Sequence, residues 1–223
     1  MAFGSRSLRL TTVAAGVLLL GSTTSAQAAT PSATTSTWAG YVAHTSTYTS
    51  VTASWAEPSV TCGSAASSAA FWAGLDGYSD STVEQAGTEV DCAGGVASQY
   101  AWYEVYPSGP VEVARTVRAG DAMTATVTAT TSSSFTLSVK DATAGWTFST
   151  TKAVSGAARS SAEVVLEAPT TAKAKAGTVS FTGARVDGGT LAASDPTGIS
   201  IGTGAGPHCG AISASGTSFT CTW

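Results

Sequence analysis

The sequence predicts an all-β protein in which two antiparallel sheets pack face to face as a β-sandwich. From Trp38 onward, short runs rich in Val, Thr, Tyr, Phe and Trp are separated by Gly, Pro, Asp and Ser, the pattern of strands and turns. No segment has apolar residues at sustained helical spacing, and Thr is too abundant for stable helices. Hydrophobic residues make up 43% of the chain, which excludes disorder driven by charge.

Eight runs are the clearest strand candidates, because each is rich in β-forming residues and has a turn-forming residue near one of its ends. In chain order they are Ser50–Trp55, Tyr100–Tyr106, Ala122–Thr130, Ser134–Lys140, Gly145–Thr150, Ala162–Leu166, Thr178–Thr182 and Ser218–Trp223.

The first 28 residues have the features of a secretory signal peptide. Two arginines precede a short apolar run, and Ala26-Gln27-Ala28 fits the small-x-small cleavage rule. The apolar run is too short to span about 30 Å of hydrocarbon. Residues 29–37 are small and polar, and we expect a flexible tail there. The sequence therefore predicts a secreted, extracellular protein in which residues 38–223 form one domain.

Composition narrows the possible partners and cofactors. The formal net charge is −4 and the pI is near 5.0, which argues against binding to nucleic acid or to an anionic membrane. Two histidines, His44 and His208, leave little material for a zinc site, and both lie in small polar or Gly-rich stretches typical of a surface. We therefore expect no metal.

Four cysteines in an exported protein predict two disulfides. The sequence allows three pairings, of which the local one joins Cys62 to Cys92 and Cys209 to Cys221. The chain contains no CxxC motif, so a redox site or a structural zinc is not expected.

Alternation along several strands places carboxylates and large aromatic residues on one face and plain hydrophobic residues on the other. The shared face carries Trp72, Gly74 and, if that strand extends, Asp76; Tyr100, Trp102, Glu104 and Tyr106; and Glu163, Val165 and Glu167. Exposed aromatic clusters usually mark a binding surface. We therefore predict a hydrated groove lined by aromatic residues rather than an ordinary solvated face.

Several motifs of hydrolases and nucleotide-binding proteins are absent from the sequence. HExxH does not occur, a Cys-His-Asn arrangement is impossible because the chain has no Asn, and no phosphate-binding loop is present. Carboxylate chemistry remains, either as a pair that hydrolyses a glycosidic bond or as a carboxylate and an amide that hydrolyse a peptide. Beyond residue 28 the only side-chain amides are Gln85 and Gln99.

At these residues the sequence resembles the glutamic peptidases, or eqolisins, from Trp38 to the C-terminus. Each motif alone is weak, but seven in the same order are specific. They are Thr37-Trp38-Ala39-Gly40-Tyr41-Val42; Ala53-Ser54-Trp55 followed by Pro58; Phe71-Trp72-Ala73-Gly74-Leu75-Asp76-Gly77; Gln85-Ala86-Gly87; Ala101-Trp102-Tyr103-Glu104-Val105-Tyr106-Pro107; Ser161-Ala162-Glu163 with Glu167; and Gly216-Thr217-Ser218-Phe219.

This resemblance implies a sandwich of the concanavalin-like lectin/glucanase type and a catalytic dyad of Gln85 and Glu163. It further implies a monomeric endopeptidase that is active in acid, acts on polypeptides and uses no cofactor. The substrate-groove residues that it implies are Trp38, Trp72, Asp76, Trp102, Glu104 and Tyr106.

The expected mechanism has ionised Glu163 as the general base and then the acid, with an unperturbed pKa near 4.3, and Gln85 as the oxyanion donor. Two alternatives stay open at this point. One is a glycan-binding or glycoside-hydrolysing sandwich that uses Glu104 and Glu163. The other is a secreted adhesion domain without activity.

Overall fold

The computed structural model describes residues 33–169, 174–202 and 206–223, and within these residues the fold is all-β apart from one short 3₁₀ helix, Leu191–Ser194. The predicted signal peptide, residues 1–28, lies outside the described residues. None of the described helical structure is long and apolar enough to cross a membrane.

The first sheet carries the strands that matter for the site. In spatial order its described strands are β1 (Ala33–Thr35), β14 (Thr197–Ile201), β2 (Trp38–Ala43), β11 (Ala162–Glu167), β4 (Ser67–Leu75), β5 (Val83–Ala93), β6 (Val96–Tyr106) and β7 (Val111–Thr116). Neighbouring strands are antiparallel except for β1 and β14, which are parallel at one edge.

The second sheet packs against the first and is antiparallel throughout its described strands. In spatial order these strands are β10 (Trp146–Ala153), β9 (Ser134–Asp141), β8 (Ala122–Thr131), β3 (Ser50–Ala56), β12 (Thr178–Val186), β16 (Phe219–Thr222) and β15 (His208–Cys209). The short β13 (Gly189–Thr190) pairs with β12. The two sheets confirm the predicted β-sandwich.

Each of the eight predicted runs overlaps an observed strand, because strand-forming composition and turn residues are local signals. The segment expected to be a flexible tail, residues 29–37, contains a strand near its C-terminal end. Residues 33–35 form β1, which extends the sheet edge by pairing with β14 through Thr34 and Ser200. No local pattern predicts this strand, since its partner lies about 165 residues away in the chain.

The core lies between the sheets and follows the predicted alternation. Phe71, Leu75 and Leu166 of the first sheet are fully buried against Leu137 and Phe181 of the second. Burying a side chain of this size contributes roughly 1.5–3 kcal/mol. The opposite face of the first sheet, which we call the groove face, carries a separate apolar cluster that includes Trp72 and Trp102.

Two disulfides confirm the local pairing. Cys62 is bonded to Cys92 at the end of β5, and Cys209 is bonded to Cys221, its direct register partner in β16. Both histidines are exposed, as expected.

Candidate active site

The register of the first sheet places Glu163 and Gln85 in one transverse row of the groove face. Glu163 of β11 pairs with Gly74 of β4, and Gly74 pairs with Gln85 of β5. Because register partners project their side chains to the same side, Glu163 and Gln85 flank Gly74. Their Cα atoms are two strands apart, about 10 Å. Side chains reaching inward from both positions can hold one small group between them.

Gly74 leaves the space between these two side chains open. A Cβ at this position would lie 3.0 Å from the Gln85 Cβ and 3.1 Å from the Trp72 Cζ3. Any larger residue would therefore occupy the gap between the amide and the carboxyl. A Gly inside a strand often marks a close approach of this kind, and Gly74 can be recognised as such from the sequence.

Gln85 is held in place by Glu104, its register partner on β6. The Gln85 Nε2 donates to the Glu104 Oε2 at 2.5 Å, and the Gln85 Oε1 is buried without a hydrogen-bond partner. Burial raises the pKa of Glu104, and the bond from Gln85 opposes that shift. Since a primary amide has two N–H donors, this bond orients Gln85 and leaves one N–H for another acceptor.

Glu163 is fully buried, and neither of its carboxyl oxygens has a hydrogen-bond partner. Burial raises its pKa well above the ordinary value, and the nearby acids Asp76, Asp80 and Glu84 raise it further. The Ser161 hydroxyl acts in the opposite direction without forming a hydrogen bond of good geometry. The surroundings that raise the pKa of Glu163 above that of an unperturbed glutamate come from distant parts of the chain, so the sequence alone does not reveal the shift.

Tryptophans form the floor of the groove face beside this row. Trp72 is fully buried, donates its Nε1–H to the Glu167 Oε2 at 2.9 Å and packs edge-to-face with Trp38 at 4.8 Å between ring centroids. Gly87 lies in register between Trp72 and Trp102. A Cβ on Gly87 would come within 2.6 Å of the Trp72 Cβ, so only Gly fits there.

A cavity of about 220 Å³ opens next to Gln85 on the groove face. Its lining combines three carboxyls with apolar side chains: Ala70, Gln85, Glu89, Trp102, Glu104, Pro110, Glu167 and Pro169. Burial raises the pKa of Glu89, and it raises the pKa of Glu167 to about 7. We had not predicted Glu89 as a site residue, although alternation from Gln85 through Gly87 would have placed it on this face.

Asp76 does not continue the groove face, and its expected contact with substrate is corrected. β4 ends at Leu75, and Asp76 has a positive φ of 66°, which turns the chain. Its side chain is fully buried, and its two oxygens accept from the backbone N–H groups of Arg159 at 2.8 Å and Ser160 at 2.6 Å. Because both oxygens are already engaged, Asp76 holds the chain ahead of β11 rather than facing a ligand.

The other predicted site residues share the groove face. Glu104 and Trp102 lie on β6 beside Gln85 and Gly87, and Tyr106 stands at the end of the same strand with half of its surface exposed. Trp38 begins β2 and is partly buried against Trp72. The groove face therefore combines the Glu163 carboxyl, the Gln85 amide and a cavity, and an extended polypeptide chain can lie along it.

The sequence of this chain matches a family model and is similar to a known peptidase. The model of the Peptidase A4 family matches residues 36–223. Aspergillopepsin-2 of Aspergillus niger is 33% identical over 131 residues, which cover 49% of this chain and 46% of that protein. The match thus spans about half the length of this relative.

Three solved structures are similar in fold. Scytalido-glutamic peptidase with a transition state analog inhibitor gives a TM-score of 0.72 at 25% identity, covering 84% of this chain and 98% of that chain. SCP-B, an eqolisin in complex with the tripeptide Ala-Ile-His, gives 0.67 at 25% identity with the same coverages. Aspergilloglutamic peptidase from Aspergillus niger gives 0.59 at 29% identity, covering 70% and 98%.

Proposed function

Because the chain belongs to the Peptidase A4 family, we propose that it is an acid-active endopeptidase whose catalytic dyad is Glu163 and Gln85. The observation that carries this proposal is the row in which both side chains flank Gly74 on the groove face. Glu163 has two unpartnered oxygens and Gln85 has one uncommitted N–H, so both have hydrogen-bonding capacity to spare for a water and a substrate carbonyl.

In the first step, the ionised Glu163 carboxylate takes a proton from a water held between it and Gln85. The water oxygen forms a bond to the carbonyl carbon of the scissile peptide, and the carbonyl electron pair moves onto its oxygen. The free N–H of Gln85 donates to this developing oxyanion. Glu104 keeps the amide plane fixed during the step, because its carboxyl accepts the other N–H of Gln85.

In the second step, protonated Glu163 gives the proton to the nitrogen of the leaving amine, and the C–N bond breaks. The tetrahedral intermediate collapses to a carboxylic acid, and Glu163 returns to the carboxylate. One group can serve as base and then as acid because the proton that Glu163 takes from the water in the first step is the one that it gives to the amine in the second. Because burial raises the pKa of Glu163, only a minor fraction of the enzyme carries the carboxylate at pH 4, and in that fraction Glu163 is a stronger base than an ordinary glutamate.

Polypeptides are the proposed substrates. Trp38, Trp72 and Trp102 supply apolar contact area, and the cavity beside Gln85 offers space for a side chain. Similar structures hold a transition state analog inhibitor and a tripeptide, respectively. The glycoside-hydrolase alternative is not carried further, because Gln85 stands between Glu104 and Glu163 in the row and is bonded to Glu104.

Export of the chain is proposed on two grounds. Residues 1–28 have the signal-peptide pattern, and all four cysteines are paired in disulfides, which persist in oxidising compartments. We further propose that the protein acts as a monomer.

The dyad is tested with the variants Glu163→Gln and Gln85→Ala, assayed on a denatured protein at about pH 4 with an aspartic-protease inhibitor present. We expect Gln85→Ala to lower kcat by about 100- to 1,000-fold, the usual effect of removing one oxyanion donor. Glu163→Gln removes the general base and should lower kcat at least as much. Gln99→Ala is the matched control, because Gln99 donates to the Pro58 carbonyl away from the row. Full activity in either dyad variant would rule out the mechanism.

A further inference from the structure

We propose that the cavity beside Gln85 is a substrate subsite that binds a basic side chain, arginine or lysine, and that Glu89 and Glu167 determine this preference. The inference rests on the proposed function, because it assigns a class of substrate to the same groove. Neither of these carboxyls takes part in the proton transfers of the dyad.

Glu89 and Glu167 lie in a second transverse row of the groove face. Glu167 of β11 pairs with Ala70 of β4, and Ala70 pairs with Glu89 of β5. Because register partners project to the same side, the two carboxyls flank the small side chain of Ala70. The row of Glu163 and Gln85 lies four residues away along β5, about 14 Å. Residues of both rows line the cavity, so it lies between them.

Acidic side chains line this cavity without a basic partner. Its described lining contains Glu89, Glu104 and Glu167 and no Lys, Arg or His. Glu104 accepts one hydrogen bond from Gln85, and Glu167 accepts one from Trp72. An ionised carboxyl has about four acceptor sites, so both can accept further hydrogen bonds. Ionising several carboxyls in a partly buried cavity is unfavourable unless a cation balances their charge, and a basic side chain of the substrate would supply that cation.

Trp102 provides a second, independent indication that a ligand binds here. It lines the cavity with 3% of its surface exposed, and its Nε1–H is buried without a hydrogen-bond partner among the described residues. Native structures rarely leave a buried donor unpaired, and the Nε1–H of the neighbouring Trp72 is bonded to Glu167. A substrate chain that places a basic side chain in the cavity can bring a backbone carbonyl to the Trp102 N–H.

The lining suits the stem of a basic side chain as well as its charged end. A guanidinium is planar and carries five N–H donors, so it can bond to two carboxyls and stack on an indole ring. An ammonium has three donors, and the face of a Trp ring attracts either cation. Ala70, Pro110 and Pro169 give the methylene groups of the stem an apolar surface. A neutral side chain of similar length gains the apolar contacts without the charge-assisted hydrogen bonds.

The preference should depend on pH, because the carboxyls of the cavity titrate. The titratable groups in and around the cavity are Glu89, Glu104, Glu167, Asp91, Tyr100 and Glu112. Burial raises the pKa of Glu89 and raises that of Glu167 to about 7, whereas a bound cation would lower both. A cation must therefore displace protons at low pH and fewer of them at higher pH, so the preference for a basic side chain should increase as the pH rises.

The test uses peptides that are capped at both ends and carry a single arginine, placed in turn at each position around the scissile bond. Each is compared with a peptide in which citrulline replaces arginine, because citrulline keeps the shape of the side chain and lacks its charge. At one position we expect kcat/KM at pH 5 to be about tenfold higher for arginine than for citrulline. This ratio should be smaller at pH 3.5, and lysine against norleucine should show the same trend.

The variants Glu89→Gln and Glu167→Gln test the assignment to these two residues. Each removes one charge and keeps the size of the side chain, and each should lower the arginine-to-citrulline ratio at least about threefold. The readout is the ratio within one variant, because a general loss of folding or catalysis lowers kcat/KM for both peptides alike. Asp195→Asn is the matched control and should leave the ratio unchanged, because Asp195 is exposed and lies outside the cavity lining.

Binding without turnover separates this inference from the proposed function. Calorimetric titration of the same peptides into Glu163→Gln should show tighter binding of the arginine peptide, even if the wild type hydrolyses no peptide and the proposed function fails. Conversely, an active wild-type enzyme whose ratio stays within twofold of one at every position would overturn the subsite and leave the dyad intact. A high ratio that persists in both Glu89→Gln and Glu167→Gln would also overturn it.

Discussion

At the scale of single residues, Gly74 and Glu104 determine how the proposed dyad can work. Gly74 contributes nothing chemically, but its missing side chain is the space in which a water and a carbonyl group can lie between Glu163 and Gln85. Glu104 fixes the amide of Gln85 by accepting one N–H at 2.5 Å. Catalytic geometry thus depends on two residues that take no part in the proton transfers.

Gly74→Ala is expected to reduce kcat/KM more than it reduces stability. The new Cβ would lie 3.0 Å from the Gln85 Cβ, so Gln85 must shift, and a misplacement of about 1 Å costs on the order of 100-fold in rate. The measurement is kcat/KM at pH 4 alongside the thermal unfolding midpoint. Gly109→Ala, at a position with open space, should change neither. Unchanged kinetics in Gly74→Ala would refute this view of the gap.

Glu104→Ala is expected to lower kcat by about tenfold, less than removal of Glu163, because it only frees the amide to rotate. Glu104→Gln keeps an acceptor oxygen for the Gln85 N–H and should recover most of the loss. Steady-state kinetics of the two variants decides the point. Equal inactivation by Glu104→Gln and Glu163→Gln would instead favour a pair of essential carboxylates.

At the scale of elements, β5 connects the groove face to the core. The side chains of Gln85 and Glu89 project to the groove, whereas those of Glu84 and Thr88 project between the sheets. One strand therefore carries residues of the candidate active site on one face and a buried acidic residue on the other.

Glu57 joins β5 to the second sheet through a buried hydrogen-bond network. The Thr88 hydroxyl donates to the Glu57 Oε2 at 2.5 Å, and the Trp55 Nε1–H lies 3.3 Å from the same oxygen and 3.1 Å from the Thr88 hydroxyl. Burial raises the pKa of Glu57 to about 7. These hydrogen bonds join β5 to β3, the strand that carries Trp55. They therefore support, from the core side, the strand on which Gln85 lies.

Thr88→Val should therefore reduce the free energy of unfolding by about 1–3 kcal/mol, because it removes a donor from a buried carboxyl while keeping the side-chain shape. Urea unfolding at pH 4 measures the loss. Thr147→Val on the exposed face of β10 is the matched control and should stay within about 0.5 kcal/mol of the wild type. Equal unfolding free energies of the two variants would mean that the hydrogen bond from Thr88 to Glu57 does not stabilise the fold.

At the scale of the whole molecule, we expect the buried carboxyls to make the fold most stable in acid. Only 11% of the residues are charged, against roughly 25% in an average globular protein, which limits charge repulsion in acid. Glu57 and Glu84 have folded pKa values of about 7 and about 8, above an unfolded value near 4.3. The folded protein therefore holds more protons than the unfolded chain between these limits.

The sign of the pH dependence follows from this difference. Stability contributed by such a group is complete below about pH 4.3 and is lost as the pH rises toward 7 or 8, at up to ~1.4 kcal/mol per pH unit for each group. We expect urea midpoints to fall from pH 4 through 5.5 to 7, and Glu57→Gln to flatten the decline. Midpoints that rise toward pH 7 would contradict this assignment.

The sequence by itself determined the fold class, eight of the strands, and the two faces of β4, β6 and β11, because alternation and turn chemistry are local properties. It left three disulfide pairings open, and the structure selects the local one. It also singled out Gln85 and Glu163 as candidates, although the face of Gln85 became clear only from the register of β5 with Gly74. Tertiary structure alone decided that Ala33–Thr35 form a strand, that Asp76 is saturated by backbone donors, and that Glu84 and Glu163 are buried among acids. These properties depend on neighbours that lie far apart in the chain, and local pattern carries no information about them.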